Sequence, residues 1–261
     1  MEHINFSIMA RQMDGLKKNL HDLRNFELNY ILNKIKLKKP DKILDFGAGD
    51  GYMIKKIEEK GYNSVYGIDI LNSNYKPDLN IFTYSGNIDD FPTNESYDVI
   101  FSSNVIEHIE NQEDYFLLFD KILKKNGLQI HIMPTHYWKF WNSLFYYYSV
   151  GIYILKKLFF KNNKKLKNNY KIEVNNGLKQ SPFFIGRHGS IGSTFDEFSL
   201  FNPINYFKIL DKLNLEYESF KIPLIYSGHY FLGSYLSLKL RKKLSKFLGY
   251  SCHCYVIKKN D

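Results

Sequence analysis

A doubly wound α/β fold around a mostly parallel sheet is what this 261-residue sequence predicts, and three observations predict it. Short β-rich runs alternate with helix-compatible stretches from residue 42 onward. A glycine loop, Asp45-Phe46-Gly47-Ala48-Gly49-Asp50-Gly51, follows the apolar pair Ile43-Leu44 and runs into the helix-like YMIKKIEEKG. An apolar strand, Tyr66-Gly67-Ile68-Asp69-Ile70, ends in an acid 24 residues after Asp45.

Residues 1–40 read as a helical lead-in, with Phe26, Leu28, Ile31, Leu32 and Ile35 at helical spacing before Lys39-Pro40. A nucleotide-type core spans 41–135, with strands at KILDF, SVYGIDI, NIFTY, YDVIFSS and LQIHIM. The alternation fails over 136–200, where aromatic, Lys/Asn-rich and Gly-rich segments follow one another, so this stretch reads as an inserted cap. Residues 201–261 resume the core with a helix at PINYFKILDKLNL, a strand at YESFKIPLIY, a basic helix at SYLSLKLRKKLSKFL and a closing strand at CHCYVIKK.

Hydrophobic residues make up 44% and charged residues 24%, which fits a folded soluble protein, and the aromatic share of 17% follows the Lys, Asn, Ile, Phe and Tyr bias of an A/T-rich coding sequence. The net charge of +9 rests almost entirely on lysine: only Arg11, Arg24, Arg187 and Arg241 are arginines. Nucleic-acid sites favour arginine forks, so a nucleic-acid substrate is disfavoured. The N-terminus carries acids and lacks the apolar core of an export signal, which places the protein in the cytoplasm. Cys252 and Cys254 lie two apart on a strand, face the same way and read as reduced packing residues. His253 between them offers too few ligands for zinc.

Glycines at a strand-to-helix turn let a ligand approach bare backbone. The spacing departs from G-x-G-x-x-G, because the third glycine comes one residue early and an acid precedes the first, and this disfavours a nicotinamide dinucleotide. Asp69, at the tip of the second strand, is placed to accept both hydroxyls of a ribose.

These elements in order resemble class I S-adenosylmethionine-dependent methyltransferases, over about residues 41–135 with echoes to the C-terminus. The resemblance implies a Rossmann-like sheet, mostly parallel with an antiparallel last strand. It implies that Asp45 and the backbone from Phe46 through Gly47 to Gly49 hold the methionine end of S-adenosylmethionine, Asp69 its ribose and Ile70 one adenine face. Relatives often carry Gly-Asp and an apolar residue after the third strand; here Gly86-Asn87-Ile88 stands there, and the Asn87 amide would accept from the adenine amino group without formal charge. Asn104, after the fourth strand in YDVIFSSNVIEHIEN, would lie beside the amino-acid part of the cofactor. The Glu107-His108 pair would open the next helix, and Leu123-Lys124-Lys125-Asn126-Gly127-Leu128 would turn into strand five.

Methyl transfer from a sulfonium asks the enzyme to align an acceptor and remove its proton, and histidine is the natural base. His188, in Gly186-Arg187-His188-Gly189, is the favoured base, since that stretch resembles an Arg/His-His-Gly element of methyltransferases in bacterial surface-polysaccharide pathways. His136, after strand five, is the runner-up, and His108 either touches substrate or caps a turn. Arg187 suits a phosphate or carboxylate of the acceptor. Tyr137 and Trp138 open an aromatic segment, 137–148, that would stack an acceptor, lie on a membrane surface, or pack over the site or against a second subunit.

The reading is therefore a metal-free O-methyltransferase acting on a small sugar-, phosphate- or nucleotide-linked precursor of surface polysaccharide, with peripheral membrane contact or oligomerisation as further expectations. Two alternatives stand beside it. One is a non-catalytic cofactor-binding or membrane-surface scaffold; the other, favoured only by the generic strand-glycine-helix start, is a nicotinamide-dependent oxidoreductase.

Overall fold

The computed structural model describes residues 2–39, 41–70, 80–159, 185–189, 191–227 and 236–259. The Lys/Asn-rich stretch from Lys161 to Lys171 falls outside the described residues.

Seven strands form one sheet: β1 (Lys42–Phe46), β2 (Ser64–Ile70), β3 (Ile81–Tyr84), β4 (Tyr97–Ser103), β5 (Leu123–Pro134), β6 (Tyr217–Ile222) and β7 (Cys252–Lys258). Their order is β3-β2-β1-β4-β5-β7-β6. The first five pair in parallel, and β7 runs antiparallel to both β5 and β6. The order reverses between β1 and β4, and an open α/β sheet leaves a crevice at that switch point, beyond the carboxyl ends of those strands.

Alternate residues of each strand enter different layers, as the period of two requires. Ile43, Val65, Val99, Ile130, Cys252 and Cys254 face a layer built by α1 (Glu2–Lys34) and α2 (Tyr52–Glu58), through Leu23, Leu28 and Ile31 of the first and Met53, Ile54 and Ile57 of the second. Leu44, Ile68, Ile100, Met133 and Tyr255 face the opposite layer, built by α3 (Gln112–Ile122) and α6 (Pro203–Lys212). Helix α6 starts where the sequence says it should: Asn202 Oδ1 accepts from Ile204 N at 3.2 Å and Pro203 occupies the first turn. Both cysteines are free and buried in β7.

The region read as a cap begins with α4 (His136–Phe159) and returns through residues 185–189 to α5 (Asp196–Leu200). Along α4, Tyr146 and Val150 pack against Ile185, whereas Phe140, Leu144, Tyr147 and Tyr148 are exposed. The basic helix α7 (Leu238–Leu248) touches α4 where Trp141 Nε1 donates to the Leu248 carbonyl at 3.2 Å. Among the described residues no helix is long and apolar enough to cross a membrane.

Two local expectations need adjustment. Glu107 and His108 do not open an α-helix: they lie in a 3-10 turn, Ile106–His108, and α3 begins only at Gln112. Burial of Ile106 and Glu107 closes the turn early, and Gln112 Nε2 caps the Ile106 carbonyl at 3.0 Å. The turn expected at 123–128 is instead a bulge inside β5, whose register passes from Leu123 opposite Tyr97 to Leu128 opposite Val99, with Asn126 at φ +61°.

Candidate active site

The glycine loop leaves β1 at Phe46 and is tied to the neighbouring strand, since Gly47 N and Ala48 N both donate to the Ile68 carbonyl, at 2.8 and 3.2 Å. Gly47 and Gly49 have φ of +78° and +54°, a region that side chains disfavour. A Cβ on Gly47 would lie 2.4 Å from Val105 Cγ2, so the loop packs tightly there, while a Cβ on Gly49 would meet nothing within 4 Å. Asp69 closes the loop: its Oδ2 accepts from Gly49 N at 2.5 Å and its Oδ1 from Ile70 N at 2.7 Å. Asp45 is buried within β1 and its Oδ2 has no hydrogen-bond partner. Burial, reinforced by the charge of Asp69, pushes the Asp45 carboxyl up to about 8.

A cavity of about 600 Å³ opens at the switch point. Phe46, Gly47, Asp69, Ile70, Asn87, Ile88 and Asn104 line it, as does His108. Asn87 Oδ1 is already engaged by Asp89 N at 3.3 Å, so it caps the 3-10 turn Ile88–Asp90 as well as facing the cavity. Asn104, at φ +56°, is held from behind: with its side-chain amide turned so that the oxygen faces Arg24, it accepts from Arg24 Nη1 at 2.6 Å and donates to Tyr226 Oη at 3.3 Å. Arg24 also donates to Glu27 at 2.7 Å, so the lead-in helix braces the cavity wall. Reading the sequence missed Arg24; its only signal was the rarity of arginine in a lysine-rich chain.

At the edge of this cavity the His108 ring meets that of His188 at 4.7 Å between centroids. Both imidazoles face the Glu107 carboxylate, His108 Nε2 at 3.9 Å and His188 Nε2 at 3.8 Å. Burial is the main influence on His108 and lowers its pKa, against the opposing charge of Glu107. Trp138, expected to contact substrate, is buried and packs against His188 at 4.4 Å. Glu197 accepts from His188 N and, at 2.7 Å, from Gly189 N, and pairs with Lys139 in an ion pair that excludes solvent. Arg187 is exposed, with Nη1 reaching the Gly192 carbonyl at 3.4 Å. The His136 and Tyr137 rings meet at 4.2 Å, tilted by 37°, and Tyr137 continues to Tyr250. Burial lowers the pKa of His136.

Residues 9–188 match the family model of the methyltransferase domain. The chain belongs to that family. Among curated proteins this methyltransferase is 34% identical over 129 residues to the ubiquinone biosynthesis O-methyltransferase of Rickettsia typhi (strain ATCC VR-144 / Wilmington), covering 45% of this chain and 52% of that protein. It is 34% identical over 129 residues to the protein of the same name from Rickettsia bellii (strain OSU 85-389), covering 45% and 53%. The chain thus spans about half the length of the curated relatives it matches. Among solved structures, one chain of the complex containing the Haloferax volcanii Trm112 methyltransferase activator superposes with a TM-score of 0.54 at 12% identity, over 98% of this methyltransferase and 95% of that chain. That likeness establishes the shared fold.

The residues of this methyltransferase fit S-adenosylmethionine. The bare face of Gly49 is open, so a ligand can lie against the loop backbone. The cavity falls within the usual range for small-molecule sites, roughly 300–1,000 Å³. The Asp69 carboxylate suits a donor that carries positive charge on sulfur, and the buried Asp45 carboxyl keeps an oxygen without a partner behind the loop.

Proposed function

We propose that the chain is an S-adenosylmethionine-dependent O-methyltransferase whose acceptor hydroxyl is received at Glu107, His108 and His188. A single juxtaposition carries this reading: the cavity lined by Gly47 and Asp69 is bounded by His108, whose ring meets His188 edge-on beside Glu107. S-adenosylmethionine supplies an electrophilic methyl group on a sulfonium.

The chain's own residues supply position and proton transfer. The backbone from Phe46 to Gly49, with Asp45 behind it, receives the methionine end, and Asn104 borders it. Asp69 accepts from the ribose while keeping its hold on Gly49 N. Ile70 and Ile88 flank the adenine, and Asn87 offers the second lone pair of its amide oxygen. His188 removes the acceptor proton, and the buried carboxylate of Glu107 stabilises the imidazolium that results. His136 takes no part in this assignment, because its ring packs on Tyr137.

Oxygen as the acceptor atom comes from the curated relatives, which are named O-methyltransferases of ubiquinone biosynthesis. Those names do not support a surface-polysaccharide precursor, so the sugar- or nucleotide-linked acceptor suggested by Arg187 becomes one arm of the test. Incubating the purified chain with methyl-labelled S-adenosylmethionine and two acceptor panels, hydroxylated aromatic rings and sugar nucleotides, separates the classes. Label recovered on an oxygen of one panel is the expected result. Donor binding with label found only on nitrogen or sulfur would refute the O-methyl assignment.

A further inference from the structure

We propose that Glu107, His108 and His188 hold a divalent transition-metal ion at the edge of the donor cavity. The inference rests on the reading of this cluster as the place where the acceptor hydroxyl ionises, and it departs from the metal-free expectation drawn from the sequence. One donor atom from each of the three residues lies within 4.8 Å of the others. Two imidazoles and one carboxylate form a set that first-row divalent ions accept while keeping positions open for water or substrate.

Glu107 gives the second, independent observation. Its side chain is 0% exposed and neither carboxylate oxygen has a hydrogen-bond partner. The two imidazoles stand 3.8 and 3.9 Å from it, beyond hydrogen-bond reach. The other buried glutamates among the described residues are matched, Glu27 by Arg24 and Glu197 by Lys139. A buried carboxylate without a donor is costly, and a cation between it and the imidazoles removes that cost. Bond lengths of about 2.0–2.2 Å to one ion place neighbouring ligand atoms roughly 3.0–3.5 Å apart, so small rotations of the two histidine side chains close the set.

The surroundings are built for such a geometry. Glu197 fixes the backbone of His188 and Gly189, and Trp138 buttresses the His188 ring. A Cβ at position 189 would stand 2.7 Å from the Glu107 carbonyl, so only glycine lets the two segments meet this closely. Side-chain exposures of 41% for His108 and 36% for His188 leave the ion accessible. Glu107 also borders a neighbouring cavity of about 380 Å³ with Glu110 and Asp114, acids that favour a cation there, whereas Glu113 beside them pairs with Lys212.

With the ion bound, the acceptor hydroxyl coordinates it and its O–H ionises, the proton leaving to water. The oxygen then forms its bond to the methyl carbon as the carbon–sulfur pair returns to sulfur, leaving a neutral thioether and an unchanged ion. His188 serves as a ligand in this loaded form, replacing its role as free base.

The test uses the full chain stripped with a chelator and titrated with cobalt(II) chloride, followed by visible absorption and calorimetry. One cobalt per chain with imidazole-type absorption is expected, and Glu107→Gln and His188→Gln should each weaken binding at least tenfold while S-adenosylmethionine still binds. Should Glu107→Gln fail to fold, His108→Asn provides the same reading at a more exposed ligand. Absence of stoichiometric cobalt binding, or binding that survives these substitutions, overturns the site. Full methylation by the stripped protein also overturns it yet leaves His188 as base; a chain that binds cobalt but not S-adenosylmethionine fails the functional reading instead.

Discussion

The backbone N–H of Gly49 donates to the Asp69 carboxylate at 2.5 Å, so the acid at the tip of β2 holds the loop that follows β1. Asp69 thereby shapes the cavity as well as lining it. Asp69→Ala removes both functions, and hydrogen bonds to a charged group contribute about 1.5–3 kcal/mol each. At about 1.4 kcal/mol per decade, S-adenosylmethionine affinity should fall about 100-fold or more by calorimetry. Asp69→Asn, which keeps an acceptor for Gly49 N, should fall between. Unchanged affinity in Asp69→Ala would remove it from the donor site.

Gly47 and Gly49, two residues apart and both at positive φ, differ in the space around them and invite contrasting substitutions. Gly47→Ala puts a methyl 2.4 Å from Val105 Cγ2 at φ +78°, which strains both backbone and packing. Overpacking of this kind costs about 1–3 kcal/mol, and denaturant unfolding should register it. Gly49→Ala meets open space and should cost about 1 kcal/mol in stability, from its positive φ alone. Its methyl occupies the face left for the donor, so donor affinity should drop although the fold persists. Equal effects of the two substitutions on stability would contradict the packing difference.

Asp45 sets a pH dependence of stability. Its carboxyl is raised from 3.8 to about 8 in the fold, so between those values the folded state binds a proton that the unfolded state has lost. Stability from this group is therefore fully present below about pH 4 and declines as pH rises towards 8. Asp45→Asn should abolish that slope and raise the melting temperature relative to the parent more at pH 8 than at pH 5. The comparison is a difference between variant and parent, which cancels the histidines common to both. Parallel curves for the two proteins would mean that Asp45 is ionised in the fold throughout.

The strands, the glycine loop and Asp69 were legible because each follows a local rule: apolar runs of strand length, glycines at a strand-to-helix turn, an acid at a strand tip. Ile70, Asn87, Ile88 and Asn104, which line the cavity, were named only through the family resemblance. What stayed hidden depends on separations no local pattern encodes. Glu107 and His188 stand 81 positions apart, as numbered, and meet only when residues 185–189 fold back over the turn after β4. The aromatic run 137–148 leaves open whether it stacks an acceptor, lies on a membrane or packs over the site, and only the fold shows Trp138 buried against His188. Arg24 precedes the strand-helix motifs in the sequence and reaches Asn104 only through the packing of α1 on the sheet.

Lys139 is the single charge in an aromatic segment, and its partner, Glu197, is 58 residues away; both side chains are 0% exposed. Glu197 in turn holds His188 N and Gly189 N, so the pair anchors the segment that carries the proposed base or ligand. Lys139→Met leaves a buried carboxylate without its cation, and breaking a buried pair from one side costs about 3–5 kcal/mol. Stability should fall by that order in denaturant titrations, and turnover should fall with it because the loop bearing His188 loses its fixed point. Adding Glu197→Gln to Lys139→Met removes the orphaned charge while keeping an amide oxygen for the two backbone N–H groups. The double variant should therefore recover most of the stability and part of the turnover, with donor affinity unchanged in all three proteins. If the double variant were less stable than Lys139→Met alone, the carboxylate would be satisfied by something other than Lys139, and the anchoring role would pass to the backbone contacts by themselves.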